Sequence, residues 1–158
     1  MLLAVPEFKT SLPGGGAASQ SDIFCIVKAG SEIIAATIEA KVAESFGETV
    51  GEWLASPTLG KQRRLDYICR LLDISVTPEA GLRYQLFHRS AAAIVEAQRF
   101  GFGDAAMIVH SFSPTNQWID DFQAFRRALG LMANPLEPAS TRLKVGVNLT
   151  LGWAKGVL

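Results

Sequence analysis

The chain has no net charge, its 15 Lys and Arg balancing 15 Asp and Glu. No overall field draws it to nucleic acid or to an acidic membrane, so any contact with a polyanion must rest on a local patch. Cysteine is scarce. Cys25 and Cys69 are the only two; they lie in apolar stretches without a Cys-x-x-Cys spacing, which argues against a zinc ribbon or a redox pair and fits buried thiols in a reducing cytoplasm. The two histidines, His88 and His110, are too few and too far apart for a zinc centre. No apolar run approaches the roughly 18 residues of a membrane span, and Pro6 and Glu7 interrupt the opening Met1–Val5 before it could serve as a signal segment. A soluble cytoplasmic protein without membrane contact is expected.

What is present is enough for one core. At 158 residues with 49% apolar and 19% charged side chains, the chain falls in the range of a single globular domain. Residues 1–21 end in Leu12-Pro13-Gly14-Gly15-Gly16-Ala17-Ala18-Ser19-Gln20-Ser21 and read as a flexible segment leading into one domain over 22–158. The glycine run precedes a strand instead of opening a helix and has no Gly-Lys-Ser/Thr ending, so it is not a nucleotide P-loop.

Asp22 to Ala29 and Glu32 to Lys41 read as two apolar strands around a Gly30-Ser31 turn. A two-residue type II′ loop pairs Ala29 with Glu32 and, run back, sets Asp22 opposite Glu39. Alternation then puts Lys41 on the face of Glu39. Like charges opposed across strands repel, so this pair asks for a compensating cation, which a divalent metal would supply. Beyond the hairpin, helical spacing predicts helices over 44–54, 61–72, 81–100 and 118–129, with strands over 105–112 and 143–153. The fold class is α/β, a mixed central β-sheet flanked by helices, expected on both faces.

Asp22 heading one strand and Ile38-Glu39-Ala40-Lys41 closing the next resemble the PD-(D/E)XK nuclease-like, or restriction-endonuclease-like, superfamily. The wider pattern is similar to a bacterial subfamily of that group. It comprises Leu12-Pro13-Gly14-Gly15 before Ser21-Asp22, Glu44-Ser45-Phe46-Gly47 after the lysine, and Leu82 to Arg89 followed by Val109-His110-Ser111-Phe112. The resemblance implies a restriction-endonuclease-like core and a hydrolase that cuts phosphodiester bonds in DNA, in restriction, repair or defence. It also implies Mg²⁺ or Mn²⁺ held by Asp22, Glu39 and the carbonyl of Ala40, with Lys41 orienting the attacking water. Ser21 stands where the motif has proline. Glu7 is the only acid before Asp22, where the superfamily places a helix with an acidic residue; an earlier start or a reduced version of the fold would each account for this. The alternative is a non-catalytic binding or assembly module on the same fold.

Around this motif, Gln85 and His88 on the long helix and Glu44 after the lysine are the expected supporting residues, each also readable as ordinary helix-face or helix-end polarity. Lys61, Arg63, Arg64 and Arg89 are the expected nucleic-acid contacts, although such clusters are commonly solvated faces. His110 ends a buried strand, and Ser111 and Ser113 lack a nucleophile-elbow pattern. A homodimer is compatible with the sequence and not specified by it.

Overall fold

The computed structural model describes residues 1–157. The strands are β1 (Leu3–Thr10), β2 (Ser19–Ala29), β3 (Glu32–Lys41), β4 (Asp104–Ser111), β5 (Ala139–Arg142) and β6 (Asn148–Lys155); the helices are α1 (Val50–Trp53), α2 (Leu59–Leu71), α3 (Tyr84–Phe100) and α4 (Ile119–Ala128). The six strands form one mixed sheet in the order β1-β2-β3-β4-β6-β5. The first three make an antiparallel meander, β3, β4 and β6 run parallel, and β5 returns antiparallel on β6. Parallel neighbours need long crossovers. Those from β3 to β4 and from β4 to β6 carry all four helices.

The α/β class with a mixed sheet flanked by helices is therefore as the sequence indicates. The helices do not divide between two faces. Their buried side chains, among them Ile68, Leu86, Phe87, Ile94, Phe122 and Phe125, join one cluster with Phe24, Ala35, Met107, Leu149 and Trp153 of the strands. A second, small cluster of Cys25, Ala36 and Ala106, with Val27, Ile34, Ile38 and Ile108 packed against it, contains strand residues only. Successive right-handed crossovers in one direction along a sheet put their helices on the same side, which gives this one-sided arrangement. No helix among the described residues is long and apolar enough to cross a membrane.

Residues 1–21, expected as a flexible lead-in, contribute edge strand β1, whose pairs with β2 run from Leu3 opposite Ile26 to Thr10 opposite Ser19. Its glycine loop is anchored as well. The Arg64 guanidinium of α2 donates to the carbonyls of Leu12, Pro13, Gly15 and Ala17. Gly14 has φ +97°, and a β-carbon there would stand 2.4 Å from the Gly60 carbonyl oxygen, whereas Gly16 at φ +79° faces open space. A left-handed backbone costs a residue with a β-carbon roughly 1–2 kcal/mol, so Gly16→Ala should lose about that much and Gly14→Ala clearly more. Thermal melts of the two variants check this; equal losses would mean that the loop yields and that its seat on α2 contributes nothing.

Candidate functional site

The hairpin carries the first site residues as expected. Gly30 takes φ +62°, and Ala29 pairs with Glu32 through to Ile23 with Ile38. Glu39 and Lys41 share a face: Lys41 Nζ donates to Glu39 Oε1 at 3.2 Å, and both side chains are buried. Asp22 departs from the simple register. Ser19, Ser21 and Phe24 are all buried. Ser19 bonds to α3 and Phe24 joins the core on that same side, yet an odd and an even position cannot share a face in an uninterrupted strand.

The slip falls at Asp22–Ile23. Across from it, Glu7 of β1 has φ +52°, and the Glu7–Asp22 pair is missing from a ladder otherwise in step on both sides. The Asp22 carboxylate is thereby brought to the β3 backbone, where it accepts the Ala40 N–H at 2.7 Å. It holds the end of the β2–β3 ladder in place of a carbonyl. The Ala40 position lies level with His110 of β4.

Glu39 is the hub. Besides Lys41, its Oε1 accepts from Gln85 Nε2 at 2.6 Å, and its Oε2 accepts from Arg89 Nε at 2.6 Å. Gln85 and Arg89 lie four residues apart on α3, hence on one face of that helix. Compensation for the acidic residues thus comes from inside the chain. Lys41 and Arg89 both pair with Glu39, while the Asp22 carboxylate is held by the Ala40 N–H. Arg89 was expected on a phosphate-binding surface; it is 8% exposed and committed to Glu39.

A second layer continues from Arg89. Its Nη1 donates to Ser19 Oγ at 3.2 Å and lies 3.3 Å from His88 Nδ1, which is also 2.9 Å from Ser19 Oγ. A guanidinium cannot accept, so His88 Nδ1 is the acceptor and the neutral ring carries its proton on Nε2. Burial, with the charges of Arg89 and Arg64 alongside, pushes the imidazole down to about 3. His88 therefore enters as a neutral group that braces Arg89.

The remaining expected residues separate. Glu44 is exposed in a loop, because the first helix begins only at Val50, capped by Thr49 with Glu52 in a reciprocal capping box. Its carboxylate accepts backbone N–H groups, including those of Val42 and Ala43, which hold it below the usual range. Of the expected basic patch, Arg63 is exposed. Lys61 donates to the Trp53 carbonyl at 2.5 Å, and Arg64 is bound to the glycine loop. Ser19 is the site residue that sequence reasoning missed, since it lies before the slip that turns it inward.

Oxygen donors are what a hard divalent ion takes. Asp22 and Glu39 supply carboxylates, and Gln85 adds a specific sign: its amide must turn Nε2 to the carboxylate, which leaves Oε1 buried with no partner. Ser21 Oγ, next to Asp22 in the chain, is likewise buried and unpartnered. These groups fit such an ion in donor chemistry, although its charge would have to be accommodated beside Lys41 and Arg89. Among the described residues, no group of three or more His, Cys, Asp or Glu side chains gathers, so the third oxygen donor available is this amide.

A family model described as a domain of unknown function, DUF6946, matches residues 1–158. The chain belongs to that family. No curated protein and no solved structure matches it. The residues of the site form a buried carboxylate–amine–guanidinium cluster where the parallel strand β3 ends.

Proposed function

We propose that the domain is a metal-dependent nuclease acting on phosphodiester bonds of DNA, with Asp22, Glu39 and Lys41 at its centre. The observation that carries this reading is the unpartnered Gln85 oxygen beside Glu39, on a strand pair that also brings Asp22 and Lys41 to the same end of the sheet. Asp22, Glu39 and Gln85 would hold Mg²⁺ or Mn²⁺. When bound, the ion lowers the pKa of a coordinated water and neutralises charge on the phosphate. Lys41, with its ammonium against Glu39 and 5.3 Å from the Phe46 ring centre, would hold and orient a nucleophile. Arg89 can exchange part of its bond to Glu39 for a phosphate oxygen, because guanidinium forks bind both kinds of oxyanion.

A second reading is a non-catalytic binding or assembly module. It is favoured by the 2.6 Å Arg89–Glu39 bond, which leaves Glu39 neutralised without any ion. Cleavage assays on plasmid and single-stranded DNA with Mg²⁺ or Mn²⁺ separate the two. Lys41→Met keeps the aliphatic stem and should lower cleavage by about 10³-fold, the size of losing one positioned electrostatic group at a reacting centre, with the fold intact by circular dichroism. Cleavage equal to wild type in Lys41→Met and in Glu39→Ala would trace the activity to a contaminant. A wild type that neither cuts nor gains thermal stability with the metals would establish the module instead.

A further inference from the structure

Beyond Glu39, on the far side of the Ser19–His88–Arg89 layer, lies a cavity of about 420 Å³ between the glycine loop, the start of α2 and the start of α3. It is too large for a single small ion and of a size to take a nucleotide. Its wall has one chemical sign. Lys61 and Arg64 line it, and no carboxylate does. The first turn of α2, capped by Thr58, opens beside Gly60 and Lys61, adding the partial positive charge of a helix N-terminus. His88, neutral and carrying its proton on Nε2, borders it as a donor. Ser19 and Thr58 add hydroxyl-bearing side chains, and the rest is glycine backbone, apolar or aromatic, with Leu12 and the Trp53–Tyr84 pair stacked at 3.9 Å between ring centres.

An independent sign of a ligand comes from Tyr84. It is 8% exposed and lines this cavity; the Arg64 guanidinium beside its hydroxyl can only donate, so the hydroxyl's own proton has no acceptor. A buried donor without an acceptor costs about 1–3 kcal/mol, so its retention calls for something to bond. Gly15 and Gly16 meanwhile present backbone without side chains at the rim, where nothing stands within 4 Å of either β-carbon position. An occupant can approach that backbone closely.

We propose that this cavity binds one nucleotide, its phosphate toward Lys61 and the start of α2 and its sugar and base against Leu12, Tyr84 and the glycine loop. The inference rests on the nuclease reading for the nucleotide's origin, since one guanidinium joins the cavity wall to Glu39: Arg89 bonds Ser19 Oγ on one side and Glu39 Oε2 on the other. The occupant is then a nucleotide at the end of the strand being cut, or the same chemistry as a free mononucleotide.

The test follows the Trp53 indole N–H resonance of the full chain in EDTA, with no divalent metal present. Deoxynucleoside 5′-monophosphates should give a saturable shift, and nucleosides or inorganic phosphate alone should bind at least about tenfold more weakly. Lys61→Met should weaken the monophosphate about tenfold, the effect of losing one hydrogen bond to a charged group, and Tyr84→Phe, which keeps the stacked ring, about fivefold, the effect of losing a neutral one. Short single strands with a terminal phosphate, compared with the same strands ending in hydroxyls, distinguish the sources. A gain from the terminal phosphate assigns a strand end; binding of mononucleotides alone assigns a free nucleotide. No saturable shift with any monophosphate, or equal binding of inorganic phosphate, overturns the proposal. Because no metal is present, that failure is separate from a wild type that neither cuts DNA nor gains thermal stability with Mg²⁺ or Mn²⁺, which would overturn the nuclease reading.

Discussion

Glu39→Gln is expected to lower the free energy of unfolding by about 3–5 kcal/mol at neutral pH, the range for removing one member of a buried ion pair. The carboxylate holds two cations that are 5% and 8% exposed, Lys41 and Arg89. Gln offers neither the charge nor a second acceptor oxygen, so both cations would be stranded. Urea titration measures the loss as a lower midpoint at unchanged slope. Adding Arg89→Met to Glu39→Gln should return part of it, because a buried ion pair replaced by apolar volume is far less costly than one broken in half. A loss below about 1 kcal/mol, the scale of exposed pairs, would mean that the cations reach water and that Glu39 does not organise the site.

The second large effect concerns acid. The His88 imidazole titrates at about 3 in the folded chain, against 6.5 in the free side chain. Between those values the unfolded chain binds a proton that the folded one refuses. Stability is therefore full above about pH 6.5 and falls as the pH drops toward 3, by at most about 1.4 kcal/mol per pH unit from this one group. His88→Asn should flatten that slope while leaving the contribution of the carboxylates in place. Paired urea titrations from pH 7 to about pH 4 compare the two. Equal slopes would show that His88 takes up its proton in the folded state, contrary to its place beside Arg89.

The parts legible in sequence are those with local causes. Gly30 at the turn and the alternation of β2 and β3 fixed the pairing and put Lys41 beside Glu39. The helices over 59–71, 84–100 and 119–128 lie within three residues of their expected bounds, since their apolar spacing is regular. Gly101 ends α3 in a left-handed cap.

What was not legible depends on distant partners. β1 contains Pro6 and has little alternation, because as an edge strand it is mostly exposed. β5 has four residues and no apolar signature. The last strand starts at Asn148, later than expected, since Gly146 turns the chain first at φ +85°. Most consequential was the slip at Asp22. It arises from a left-handed glutamate fifteen residues earlier, a residue type that gives no warning of that conformation. For Arg89 a signal existed. It follows Gln85 by one helical turn and is set among Leu86, Phe87 and Ala91, a context for a buried cation rather than a solvated one.

The β1 edge also bears on how copies of this chain avoid one another. A free outer strand is a template on which a second molecule can add its own, through the unpaired backbone groups it presents. Pro6 removes a donor from the middle of that row, and Glu7 bends the strand next to it while adding charge. At the opposite end of the sheet, β5 is too short to offer much purchase. The irregularity that reorients Asp22 toward Ala40 thus also makes the outer strand a poor seed for strand-to-strand aggregation.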